Sequence, residues 1–160
     1  MIREYSGDEH FTNGDMPTTF ILSDFYSWLS ADMTTPVVRN LLAEYIVATA
    51  LGIEKEGKSY PCLYYGGYSV SISSSGYVQT SAGHLVSPTF KAPAKADISI
   101  FCLHEHLNKD TSDLMKLEQW TFFITNKKIP DDKPLTVSVV KALSPYMVKY
   151  DEIKGVIDSL

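Results

Sequence analysis

Apolar positions recur at helical spacing in two early stretches of the chain. In FILSDFYSWLSADM, the residues Phe20, Ile21, Phe25, Trp28 and Leu29 fall on one side of a helix. PVVRNLLAEYIVATALG predicts a second helix: Thr34 or Thr35 can cap it, Pro36 suits its first position and Gly52 its end. After the charged turn EKEGK the pattern changes. PCLYY, YSVSISSS and GYVQTSAGHL are short, rich in β-branched and aromatic residues, and punctuated by Gly66-Gly67, Gly76 and Gly83, as strands are. ADISIFCLHEH is a nearly continuous apolar run that predicts a strand covered on both faces, and QWTFFITNKKI predicts another. LTVSVVKALS returns to a helical pattern and stops at Pro145, and YDEIKGVIDSL predicts a last helix. The order helix, helix, about five strands, helix, helix predicts an α/β fold, bordering on α+β, with a mixed sheet flanked by helices. Residues 1–17 are polar and contain Gly and Pro, so they read as a loosely ordered arm before a single domain over 18–160.

One strand has an unusual face. In YSVSISSSGYVQ, Val70 and Ile72 alternate with Ser69, Ser71, Ser73 and Ser75, so small hydroxyls line the side opposite the apolar one. Strand faces usually carry larger groups, because packing across the sheet is what stabilises them.

Composition narrows the classes. With 160 residues, 44% of them hydrophobic, the chain is long enough for one real core and short for two. No apolar run approaches the roughly 20 residues needed to cross a bilayer, and the acidic, polar N-terminus does not read as a signal peptide. Cys62 and Cys102 lie in apolar strand-like runs, which predicts buried free thiols and a cytoplasmic setting. The net charge of −5 disfavours a protein devoted to phosphate neutralisation, while leaving room for a local basic patch. It favours a protein partner, or a second copy of the chain, over nucleic acid.

The candidate chemistry is sparse. Glu44 has Val37, Leu41, Ala48 and Leu51 as its neighbours at helical spacing. A carboxylate there needs a cation, a metal or hydrogen bonds to stay charged, with Arg39 or a sheet lysine as the ordinary structural partner. His104-Glu105-His106 offers alternate ligands on one strand face but no third ligand at a recognisable spacing, which favours a strand end entering a polar loop. Ser73-Ser74-Ser75 lacks the elbow and base of a serine nucleophile. The tyrosines at 60, 64, 65, 68 and 77 read as strand packing rather than a base-stacking platform, which would come with a basic groove. Lys127-Lys128 reads as a solvated turn.

Taken together, LLAEYIVATALG, SSGYVQ, ADISIFCLHEH and LEQWTFF resemble a group of bacterial proteins with the PD-(D/E)XK, restriction-endonuclease-like fold, over about Asp24 to Asp158. In that group a helix carries a Glu in an L-A-E-[FY] context, matched by Glu44, and a later strand reads roughly I-E-V-K-S-S-A-Y-x-Q. Laid on Val70 to Gln79, that motif matches at Ser74, Ser75, Tyr77 and Gln79. Its Glu falls at Ser71, its Lys at Ser73, and the Asp of the preceding strand near Pro61 or Cys62.

The resemblance implies a metal-dependent nuclease fold without its chemistry. Mg²⁺ wants hard oxygen ligands in octahedral geometry, and a lysine on the same strand face offsets charge at the phosphate. Two serine hydroxyls replace neither a carboxylate nor an ammonium. The expectation is a degenerate domain that binds or regulates a protein partner in DNA processing or defence. Its vestigial groove would be lined by Glu44, Ser71, Ser73, Ser75 and Gln79, with no catalytic residue and no metal. The alternative is an active nuclease rebuilt on Glu44 with Asp97 or Glu105, using Mg²⁺ or Mn²⁺. A small-molecule binder using the emptied pocket is a third use of the same space.

Overall fold

The computed structural model describes residues 3, 5–54, 58–59, 62–78 and 85–160, with only the backbone of Lys58 and Ser59. It is a mixed α/β fold. In chain order the elements are β1 (His10–Asn13), β2 (Met16–Ile21), α1 (Leu22–Leu29), α2 (Pro36–Leu51), β3 (Lys58–Ser59), β4 (Cys62–Tyr65), β5 (Tyr68–Gly76), β6 (Thr89–Phe90), β7 (Ile98–His104), β8 (Trp120–Thr125), β9 (Leu135–Thr136), α3 (Val137–Leu143), β10 (Tyr146–Val148) and α4 (Ile153–Ser159). Short 3-10 turns precede α2, β8 and α4.

The longest helix ends where the sequence says it should. Thr35 is extended and Pro36 opens α2, where its missing N–H costs no intrahelical bond. Gly52 closes it at φ 69°, and its N–H donates to the Ala48 and Thr49 carbonyls. Gly66 and Gly67, at φ 57° and 86°, form the two-residue turn that joins β4 to β5.

The main sheet has the order β10-β8-β7-β5-β4-β3. β5 and β7 run parallel over Val70–Gly76 and Ile98–His104; the other pairs are antiparallel. Every residue of β7 and β8 is buried, as expected of strands covered on both faces. On one face Val70, Ile98, Ile100, Cys102, Trp120, Phe122 and Ile124 pack with Ala43, Ile46, Val47 and Leu51 of α2 and with Ile153 and Ile157 of α4. On the other, Phe101, Leu103 and Phe123 pack under Phe90, Leu135 and Val140, which come from the β6–β9 ribbon and α3. Parallel strands need a crossover connection. Here the described part of the crossover, residues 85–97, carries β6 onto the second face.

Three sequence expectations change. The first helix begins at Leu22 rather than Phe20, because Met16–Ile21 pair with His10–Asn13 as a hairpin, and Asp24 accepts the Ile21 N–H at 2.8 Å. That hairpin straddles the expected boundary at residue 17, so the arm is ordered over its second half. GYVQTSAGHL does not start a strand of its own: Gly76 ends β5, Val78 and Leu85 form an isolated bridge, and 79–84 lie outside the described residues. Tyr146–Val148, which follow Pro145 and carry no strand pattern, nevertheless pair with β8 as the sheet's edge. Among the described residues no helix is long and apolar enough to cross a membrane.

Candidate functional groove

Among the described residues, β4 pairs with β5 only over Tyr68–Val70. Beyond Val70 that side of β5 borders a groove of about 610 Å³, walled by the first half of α2 and by residues 89–94 of the crossover. The polar groups lining it are Arg39, Asn40, Glu44, Ser73, Ser74 and Lys91. The remaining walls are mostly apolar, including Val37, Leu41, Ile72 and Phe90.

Alternation along β5 sorts the serines. Ser74 lies on the α2 side: its N–H donates to Asn40 Oδ1 at 3.0 Å and its hydroxyl accepts from Arg39 Nε at 3.4 Å. The same Asn40 donates through Nδ2 to Glu44 Oε1 at 3.2 Å. Asn40 therefore ties the strand to the helix and orients Glu44. The odd-numbered serines point to the opposite face, under the crossover. Ser71 Oγ lies 3.1 Å from Ser99 Oγ on β7, and Ser73 Oγ donates to the Lys91 carbonyl at 2.9 Å. Ser75 is completely buried and, among the described residues, its hydroxyl has no partner.

This placement corrects the expected groove. Of the described residues Glu44, Ser71, Ser73 and Ser75, Glu44 and Ser73 line it. Ser71 and Ser75 are buried on the face away from α2, and Gln79 lies outside the described residues, as does Pro61. At Ser73 the Lys91 carbonyl lies 2.9 Å from the hydroxyl, so a longer side chain there has no room without moving Lys91. Asp97 is elsewhere: it is exposed and accepts from the backbone N–H and hydroxyl of Ser69, both at 2.8 Å, which lower its pKa. Glu105 accepts from Thr121 Oγ1 at 2.7 Å, on the β8 side of β7. Neither lines the groove with Glu44.

The groove's buried charge is Arg39, which the sequence reading treated as a partner for Glu44. It is 4% exposed, and burial lowers its pKa. It donates Nη1 to the Thr34 carbonyl at 3.1 Å, and among the described residues it has no carboxylate within ion-pair distance. A signal for it was present: Arg39, Ala43, Ile46 and Val47 share the buried stripe of α2, whereas Val37 and Leu41 are exposed. Asn40 and Lys91 were also missed; the latter comes from a segment with no secondary-structure pattern.

The described donors alone do not suit Mg²⁺. One carboxylate shares the described lining with two cations, Arg39 and Lys91, while Mg²⁺ asks for several oxygen ligands and negative charge. Among the described residues no three His, Cys, Asp or Glu side chains come together as metal ligands. In the His-Glu-His run, His104 is buried edge-on to Trp120, 5.2 Å between centroids, with Nε2 3.4 Å from the Asp113 carbonyl. His106 instead meets Thr111 Oγ1 at 2.6 Å. Cys62 and Cys102 are buried and free, and burial raises both thiol pKa values, Cys102 further so beside Glu44.

No family model, curated protein or solved structure matches the chain.

Proposed function

We propose that the chain is a restriction-endonuclease-like domain that has lost phosphodiesterase chemistry and works as a binding or regulatory module toward a protein partner, in DNA processing or defence. The supporting observation is the engagement of the two hydroxyls at the resemblance's Glu and Lys positions. Ser71 bonds to Ser99 and Ser73 to the Lys91 carbonyl, both neutral. A phosphoryl-transfer site needs a metal, a positioned water and charge aimed at the phosphate. The groove instead offers apolar walls, a hydrogen-bonded Asn40–Glu44 pair and two cations, a surface suited to recognition.

The test is incubation of the purified protein with supercoiled, linear and single-stranded DNA and with RNA, in Mg²⁺ and separately in Mn²⁺, beside Glu44→Ala. No cleavage by either protein is expected. Cleavage by the wild type that vanishes in Glu44→Ala would overturn the proposal in favour of a nuclease rebuilt on Glu44.

A further inference from the structure

β5 keeps an open backbone edge inside the groove. In a strand the N–H and C=O of one residue point to the same side, and successive residues alternate. The Ser74 N–H points away from β7, to Asn40 Oδ1 at 3.0 Å. The Ser74 C=O and both backbone groups of Ile72, two residues earlier, therefore point that way too. The pairing of β4 with β5 stops at Val70, so no strand among the described residues takes these groups. The crossover does not take them either: β6 pairs with β9, and Lys91 meets β5 through the Ser73 hydroxyl. Ile72, Ser73 and Ser74 all line the groove.

The chemistry of the edge names what covers it. One donor and two acceptors in a row match the backbone of an extended segment, and Asn40 already imitates such a backbone by offering Oδ1 to the Ser74 N–H. The walls set the side chains. Ile72 and Ser74 face α2, so segment residues opposite them face the same way, toward Val37, 69% exposed, and Leu41, 42% exposed. The segment residue between them faces Ser73, whose hydroxyl holds the Lys91 carbonyl at 2.9 Å, which favours a small side chain there. The charges of the lining are mixed, Glu44 with Arg39 and Lys91, so the open backbone rather than net charge defines the occupant.

We infer that an extended apolar-small-apolar segment of a protein partner lies antiparallel to Ile72–Ser74, in line with β4, and extends the sheet within the groove. The inference rests on the reading of the domain as a binding module and names the form of partner segment that the groove takes.

Hydrogen exchange and an amide ¹H–¹⁵N titration of the full chain test it. In the free protein the Ile72 amide is expected to exchange at least about tenfold faster than those of Ser71 and Ser73, which face β7. The probe is the peptide acetyl-Ser-Val-Ala-Val-Ser-amide at millimolar concentration, beside one form N-methylated at both valines and another N-methylated at the alanine. The parent peptide is expected to shift the Ile72 and Ser74 amides and to slow exchange at Ile72. Methylating the valines, whose N–H groups point at β5, is expected to weaken binding at least about tenfold, and methylating the alanine to leave it nearly unchanged. An Ile72 amide as protected as its neighbours in the free protein overturns the inference, because the chain's own groups then fill the edge. So does a parent peptide that leaves Ile72 and Ser74 unshifted, and so does a valine-methylated peptide that binds as tightly as the parent. Nucleic-acid cleavage is read separately: a protein that binds the peptide and cleaves sinks only the proposed loss of chemistry, and an inactive protein that ignores the peptide sinks only the docked segment.

Discussion

Ser71→Ala and Ser75→Ala remove the same atom from the same strand face and are expected to shift stability in opposite directions. Ser75 has zero exposure, and its hydroxyl has no partner among the described residues. A buried hydroxyl with no bond carries a desolvation cost of about 1–3 kcal/mol. Alanine sheds that cost and forfeits only a few dispersion contacts of roughly 0.1–0.2 kcal/mol each. The expected result is a gain of about 1 kcal/mol, or a melting temperature about 2–4 °C higher. Ser71 differs because its oxygen lies 3.1 Å from Ser99 Oγ, so its removal leaves a second buried hydroxyl unpaired. A loss of about 1–2 kcal/mol is expected there. Urea unfolding reads both as midpoint shifts at constant m-value. If Ser75→Ala loses about 1 kcal/mol or more, its hydroxyl is satisfied by a group such as an ordered water, and the reading of a dry, sealed serine face is wrong.

Two further changes test the frame around the groove. Burial lowers the pKa of His104 from its ordinary 6.5, outweighing the bonds to the Asp113 carbonyl and Gln119. The unfolded chain therefore takes up the proton first, so the stability contributed by neutral His104 is complete above pH 6.5 and is lost as pH falls toward the folded value. Urea midpoints followed across that range are expected to fall with pH in the wild type and to flatten in His104→Gln. At the β4–β5 turn, Gly67 has φ 86°, and Gly67→Ala is expected to cost about 1 kcal/mol by thermal unfolding. Gly66→Asn, at φ 57°, is expected to be nearly neutral, because asparagine tolerates that region.

What the sequence made legible was local. Pro36 and Gly52 bracket α2 because each acts on its own backbone, and Gly66-Gly67 mark their turn for the same reason. The run from Ile98 to His104 announced a doubly covered strand, since burial on both faces removes the polar alternation. The serine alternation was legible too, but not what lies against it. Ser71 answers to Ser99 and Ser73 to the Lys91 carbonyl, partners distant along the chain. The burial of Arg39, expected instead as a partner for Glu44, was not legible because a charged residue counts as polar in any hydropathy pattern, whatever face of the helix carries it. Tyr146–Val148 form an edge strand through pairing with β8, which three residues cannot advertise. Their own sequence is too short to show a period.

The parallel seam between β5 and β7 has a consequence for how the molecule assembles. The β4–β5 hairpin and the antiparallel pairing of β7 with β8 join strands that follow one another in the chain, whereas the seam joins β5 to β7 past β6. Sequence-distant pairing is slow because closure entropy must be met before its contacts form. The seam's partners lie 28 residues apart along the chain, the longest-range pairing of the main sheet among the described residues. Until the crossover lies down, Ser71, Ser73 and Ser75 remain hydrated, so an unfinished sheet presents hydroxyls where other strands would present a sticky apolar face.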